Sequence, residues 1–348
     1  MGVVVFFVAI LSFLGAGGKI LFSNESTGQS ADLEHSRVRK GVLQLFLIYL
    51  TLTTACYFSL WAGGMSWFDA ICHTFTTVST AGFSTRSESI AAFSSPLIEW
   101  IMIVFMMLGA TSFFFLLLVW NRNWAQCKRA TEVFSYYILV GFGIFMFTLF
   151  LEASGTTENL HHSLRAAAFQ VVSISTTSGF GTEDFDQWPL FCRMSLLALM
   201  VIGGCSASTA GGLKMIRLVI GAKIAIHSIE RSFRTNVVRP ILVNGRPLDA
   251  DTREGVMVYF ILIFLIVLAS IPLLALFESG HSLEGAVSAV AACFFNIGPG
   301  FAEFGPTENF SGLTAPGKIL LSLLMIMGRI ELFAVLVLFL PSLWKKFS

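Results

Sequence analysis

Three times along its 348 residues this chain repeats one order of segments: a short semi-polar run of helical character, a Ser/Thr-rich hexad closed by one glycine, and an acidic loop. The closings are Ser79-Thr80-Ala81-Gly82-Phe83, Thr176-Thr177-Ser178-Gly179-Phe180 and Phe295-Asn296-Ile297-Gly298-Pro299. Each lies between two long apolar segments. A repeat of about a hundred residues decides the architecture before any local assignment. This one describes a loop that dips into a membrane and returns.

With 55% hydrophobic and only 12% charged residues, 35 of them Phe, the chain is an integral membrane protein. Apolar runs near the roughly 20 residues that a bilayer core requires fall at 43–63, 97–120, 133–151, 256–277 and 317–341. Shorter runs at 67–78, 163–175 and 283–295 carry Asp69, His73, Arg165, Gln170 and Glu284, with His281 just before the last of them, and read as re-entrant half-helices. The stretch 190–226 is apolar at both ends but interrupted by Gly203-Gly204-Cys205-Ser206-Ala207-Ser208-Thr209-Ala210-Gly211-Gly212, so this span is expected to break near the middle of the membrane. Backbone exposed by such a break is tolerated only where it lines protein or water. The six cysteines are scattered and read as small core residues. Residues 1–14 lack the basic start of a signal peptide, although Gly15, Ala16, Gly17 and Gly18 imitate a cleavage site.

Charge supplies the orientation. All but Arg86, Arg165, Arg193, Lys318 and Arg329 of the 22 Lys and Arg lie in the segments joining one repeat to the next or in the tail. Joining loops are therefore expected to be cytoplasmic and the pore loops to open outward. Asp69, Glu88, Glu183, Asp184, Asp186, Glu303 and Glu308 give the outer mouth a sign that concentrates cations.

A pore that passes a dehydrated monovalent cation replaces its water with oxygens, and backbone carbonyls of an extended, locally strained strand can do so. Glycine supplies the positive-φ geometry that such a strand needs. Ser79, Thr80, Thr176, Thr177 and Asn296 can add side-chain oxygens, and the C-terminal ends of the short helices favour a cation. An arginine inside a span, Arg329, is expensive unless it faces water, a carboxylate or carbonyls; we read it as a pore-lining charge below the hexads. Glu331 is too close in sequence to pair with it along one helix. The Gly/Ser segment 203–212 reads as a flexible steric plug beside the basic stretch 214–239. His73, His161 and His162 have no HExxH or nucleophile motif around them, so an enzyme is not expected. An ion-coupled secondary transporter of a small solute is the main alternative, but it predicts inverted repeats.

From end to end the chain resembles the TrkH/TrkG/KtrB family of potassium-uptake membrane subunits, and most of all its TrkH/TrkG branch. The resemblance is carried by Thr80-Ala81-Gly82-Phe83-Ser84-Thr85, Thr176-Thr177-Ser178-Gly179-Phe180, Asn296-Ile297-Gly298-Pro299-Gly300 and Met327-Gly328-Arg329-Ile330-Glu331. It implies an all-α membrane protein of span–pore-loop–span units around one pore as a pseudo-tetramer. The units would be 43–120, 132–227 and 255–343, with 1–22 the second span of an incomplete first unit. It further implies potassium uptake across the bacterial inner membrane and filter carbonyls from Thr80, Ala81 and Gly82, from Thr177, Ser178 and Gly179, and from Asn296, Ile297 and Gly298. Gating would fall to Gly203, Gly204, Gly211, Gly212 and Arg329. A homodimer, a cytosolic TrkA-like nucleotide-binding regulatory subunit and surrounding lipids are the implied partners; K⁺ is the cargo, and no cofactor is implied. Only three filter loops are present, so the first unit's outer span and filter are expected upstream of Met1, in a longer form of the protein.

Overall fold

The computed structural model describes residues 35–156, 159–233, 240–278, 280–330 and 332–338. The expected first-unit remnant at 1–22, the glycine-rich 15–18, and Glu331, Arg234, Arg239, Lys345 and Lys346 lie outside the described residues.

The described residues are mostly helical. α1 (His35–Ala62), α6 (Thr131–Ser154) and α10 (Ala250–Phe277) are long and apolar enough to cross a bilayer. Their most apolar windows are only 22%, 33% and 17% buried within the chain. Phe58, Ile138 and Phe264 point outward, as side chains do where the solvent is lipid.

Each long helix leads into a short one: α2 (Trp67–Val78), α7 (Leu160–Ser175) and α11 (Leu283–Phe294). Caps fix two of the starts, since Ser66 Oγ accepts from the Asp69 amide and Ser282 Oγ from the Gly285 amide. Each short helix is followed by a further apolar helix that opens on a proline: α3 (Pro96–Ala110) at Pro96, α8 (Leu190–Val201) just after Pro189, and α12 (Ala315–Arg329) at Pro316. The sequence thus encodes one unit three times. The short helices pack on their own long helix, and α7 also packs against α3 of the preceding unit, as α11 does against α8. Ion pairs cross the same two boundaries: Arg165 Nε meets Glu99 Oε2 at 2.9 Å, and Arg193 pairs with Glu284.

Two expected spans do not run through. The run 97–120 divides into α3 and α4 (Phe113–Trp120), which meet at 97°. At this elbow Thr111 is extended (φ −77°, ψ 145°), and its hydroxyl lies 2.7 Å from the Met107 carbonyl, an i−4 hydrogen bond of the kind that bends helices. The run 317–341 likewise stops as a helix at Arg329 and resumes as α13 (Leu332–Val337), so Arg329 stands at a helix end instead of mid-span; 339–341 lie outside the described residues. The expected break after α8 is present, and the chain resumes as α9 (Met215–Phe233). A short helix α5 (Trp124–Cys127) follows α4, and a hairpin of β1 (Leu242–Val243) and β2 (Arg246–Pro247) precedes α10.

Candidate functional site

The three hexads end their helices in one way. Ser79, Thr176 and Phe295 are the C-caps of α2, α7 and α11. The next residues, Thr80, Thr177 and Asn296, have φ of 51°, 57° and 57°. The residue after each donates its amide back five positions: Ala81 to Thr76 O at 2.8 Å, Ser178 to Ser173 O at 2.9 Å, Ile297 to Ala292 O at 2.9 Å. Thr80, Thr177 and Asn296 donate to Thr77, Ile174 and Cys293. This is the Schellman pattern, in which glycine is the usual left-handed residue. Here β-branched Thr occupies it twice, a sparsely populated geometry that costs about 1–3 kcal/mol per residue. The hexads are therefore not strands from their first residue, as the sequence suggested. A helix-terminating turn comes first, and the glycine two positions on (Gly82, φ 74°; Gly179, φ 74°; Gly298, φ 121°) turns the chain again.

These turns meet. A Cβ built on Gly82 would overlap the carbonyl oxygen of Ser178, and one on Gly179 would overlap that of Ile297. From Gly298 such a Cβ would lie 3.7 Å from the Gly179 Cα. Glycine is required at 82 and 179 for space as well as for φ. Carbonyl groups of one loop thus abut the glycine of its neighbour, and the C-termini of α2, α7 and α11, with their partial negative charge, arrive at the same place. All three units keep the same order of long helix, short helix, turn and further helix.

Beyond each turn the chain is tied back to its short helix by different residues. His73 Nε2 lies 2.9 Å from Ser84 Oγ and its Nδ1 2.8 Å from the Asp69 carbonyl. Ser173 Oγ donates to Phe180 O at 2.7 Å, and Ser288 Oγ accepts from the Phe301 amide at 2.8 Å. Asp69 gathers Thr85 Oγ1 at 2.6 Å, Ser66 Oγ at 2.9 Å and Arg86 at 3.1 Å. The hydrogen bond from Thr85, assisted by Ser66 and Arg86, holds its carboxyl below the usual carboxylate range. His73 is a structural strut, and His162 sits 3.3 Å from Glu183.

Residues 203–212 lie directly against the turns. They are mostly buried and tied to several segments, not the loose plug that their composition suggested. Thr209 Oγ1 is 3.0 Å from Val78 O and 2.9 Å from Gly109 O, and its amide donates to Gly109 O at 3.2 Å. The Gly211 amide donates to Thr177 Oγ1 at 2.6 Å. A Cβ on Gly211 would come within 3.2 Å of the Asn296 Cβ, so the loop touches all three units. Its base is closed by Gly203 N donating to Leu213 O at 2.9 Å, and Gly203 and Gly204 have no room for a Cβ. The loop also explains the elbow after α3. The Cys205 amide donates to Ala110 O at 3.0 Å and the Phe113 amide to Ala207 O at 3.0 Å, so polar groups freed by the bend find partners on the loop. Arg329 Nη1 donates to Thr209 O at 3.2 Å, and Lys214 Nζ donates to Ala210 O. Two adjacent carbonyls beneath the turns are thus occupied by cationic side chains.

Gly82, Ser178, Gly179 and Ile297 meet, Gly211 reaches Thr177 and Asn296, and Arg329 reaches Thr209 of the Gly/Ser segment. Sequence reasoning missed Thr80, Thr177 and Asn296 as left-handed positions. It also missed Thr209 as the loop's chief contact, and Gly328, whose Cβ would overlap Phe294 O. A Thr immediately before small residues carries no local mark of such roles.

A family model described as TrkH, cation transport protein, matches residues 1–138 and 138–346. The chain is 36% identical over 349 aligned residues to the Trk system potassium uptake protein TrkH of Escherichia coli K12, covering 99% of this chain and 71% of that protein. It is 32% identical to TrkG of the same strain, again over 99% and 71%. In three dimensions it matches the crystal structure of the potassium transporter TrkH from Vibrio parahaemolyticus, with a TM-score of 0.84, 30% identity, and coverage of 98% of this chain and 70% of that one. On the strength of these matches and of its threefold repeat, the chain belongs to the TrkH family of cation transport proteins.

Proposed function

We propose that this chain carries potassium ions into the cell as the pore-forming subunit of a Trk-type uptake system, and that it is not an enzyme. The carrying observation is the meeting of the three left-handed turns, with Gly82 against the Ser178 carbonyl and Gly179 against that of Ile297. On this reading the carbonyls of Thr80–Gly82, Thr177–Gly179 and Asn296–Gly298, with side-chain oxygens from Ser79 and Thr176, replace the water around K⁺. The partial negative ends of α2, α7 and α11 lower the cost of its dehydration. Segment 203–212 acts as the gate beneath this filter, anchored at Gly203, Gly204, Gly211 and Gly212, and Arg329 repels cations until it is displaced.

The units are 43–120, 132–227 and 255–343, a partition supported by the repeated helix order. The basic bias of the joining segments supports a multi-pass inner-membrane protein with those segments in the cytoplasm. Relatives named as parts of a Trk system support an assembly with further components; the partners we propose are a cytosolic TrkA-like nucleotide-binding regulator and a second copy of the chain in the membrane. Repeats of one orientation speak against an ion-coupled secondary transporter built on inverted repeats.

Rubidium or potassium uptake into cells without other potassium-uptake systems tests the reading. Saturable uptake that is lost in Gly82→Ala and Gly179→Ala, both still present in the membrane, is the expected result. Equal uptake by these variants removes the filter, and no uptake by the unaltered chain removes the function.

A further inference from the structure

Glu132, the second residue of α6, is buried to 7% exposure on the side of the joining loops, and neither the filter nor its gate as described accounts for it. Its Oε1 accepts from two backbone amides far apart in sequence, Ser206 at 2.5 Å and Ile216 at 3.1 Å. Between these amides lie Thr209 and Gly211, with their bonds to Val78, Gly109 and Thr177, and the carbonyl that receives Arg329. One carboxylate thus ties both shoulders of the loop whose tip sits under the three turns. Lys214 is the cation that faces it.

The helix start that carries Glu132 is itself held from outside. Asn244 Oδ1 accepts from the Thr131 amide at 3.1 Å, and Asn244-Gly245 forms the left-handed turn of the hairpin (φ 51° and 80°). The hairpin is fixed by Lys223 Nζ on Leu242 O at 2.7 Å and by the Leu248 amide on Ile241 O at 2.8 Å. A cavity of about 510 Å³ is lined by Glu132, Ser206, Ala207, Asn244, Asp249 and Phe115, among others, and by no residue of the three turns.

Building on the reading of 203–212 as a gate, we propose that Glu132 is the positioning residue that latches it. The carboxylate holds the loop under the filter, the Asn244 turn seats the latch, and the cavity is the space into which the loop withdraws once it is released. Two hydrogen bonds share this oxygen, and removing it leaves two buried amides without that acceptor.

Cys205, fully buried in the loop, is the reporter. The test uses the full chain in membranes, in one version retaining only Cys205 and in another retaining only Cys192, a buried residue of α8. Labelling by N-ethylmaleimide is followed in time. Glu132→Ala is expected to speed Cys205 labelling by about 10-fold or more while leaving Cys192 unchanged, as loss of two hydrogen bonds to a carboxylate requires. Glu132→Gln, which keeps an acceptor oxygen in place, stays within about 2-fold of the unaltered chain, and Asn244→Gly gives a smaller rise of about 3-fold. Protection of Cys205 in Glu132→Ala, a parallel rise at Cys192, or Glu132→Gln behaving like Glu132→Ala overturns the latch. Labelling does not depend on transport. A chain that moves no potassium therefore fails the proposed function, and an unmoved Cys205 fails this inference alone.

Discussion

The hexad turns and the breaks that follow the pore-side helices recur in the same three units, yet they have been treated in opposite ways. At the turns the backbone is nearly identical: left-handed residues at 80, 177 and 296, glycines two positions on, and the same pair of return hydrogen bonds. At the breaks nothing matches. α3 bends by 97° over Thr111 and Ser112, the chain after α8 makes a buried loop from Ile202 to Lys214, and α12 stops at Arg329. Oxygens that share one cation must stand at equal distances, so on the proposed function each unit keeps the same turn. A gate needs to be built only once, and one long loop that reaches all three units serves. The two shorter breaks then work for the loop, one by offering it carbonyls and one by supplying Arg329.

The contrast can be broken most forcefully at a turn. Gly179→Ala forces a Cβ into the Ile297 carbonyl at φ 74°, with left-handed strain of about 1–3 kcal/mol besides the overlap. Rubidium uptake should fall to background while the protein still reaches the membrane. Uptake within twofold of the unaltered chain would mean that the turns need not match. Next in size, Arg329→Ala removes the charge donated to Thr209 O and should raise cation flux several-fold in the same cells; unchanged or reduced flux at normal expression would remove Arg329 from the gate.

Thr209→Val leaves the Val78 and Gly109 carbonyls without that hydroxyl, a loss of about 1–3 kcal/mol, whereas Thr209→Ser keeps it. Thermal unfolding in detergent should drop for Val and not for Ser, with flux rising for Val only. A finer comparison sets Thr80→Gly beside Thr177→Gly. Both relieve a β-branched left-handed residue, but Thr80 Oγ1 bonds only its own neighbour's carbonyl, Ser79 O at 2.7 Å, among the described contacts, while Thr177 Oγ1 holds the Gly211 amide. The first should match or exceed the unaltered chain in stability, by up to about 1 kcal/mol, and the second should fall below the first.

The smallest effect concerns acid. Because its partners lower the Asp69 carboxyl, the folded form favours the anion. That stabilisation is fully present above the ordinary carboxylate value of about 4 and is lost as pH falls through the lowered one. Melting temperature should therefore be flat near neutrality and decline below about pH 4, with a weaker decline in Asp69→Asn.

Much of this molecule is written in short-range signals. The apolar runs of α1, α6 and α10, the caps Ser66 and Ser282, the prolines that open α3 and α12, and the glycines at 82, 179 and 298 each act over a few residues, and periodicity and steric freedom make them legible. So was the break at 203–212. What tertiary structure alone decided is where unpaired backbone groups would find partners. The α3 elbow exists because Cys205, Ala207 and Thr209 stand ready for its polar groups, and those contacts link residues about a hundred positions apart. Thr80, Thr177 and Asn296 became left-handed because each closes a helix against a neighbouring turn. Glu132 became important because two distant amides converge on it. Inside a membrane no water satisfies a stray amide or carbonyl, so these long-range pairings were decisive, and they leave no periodic trace along the chain.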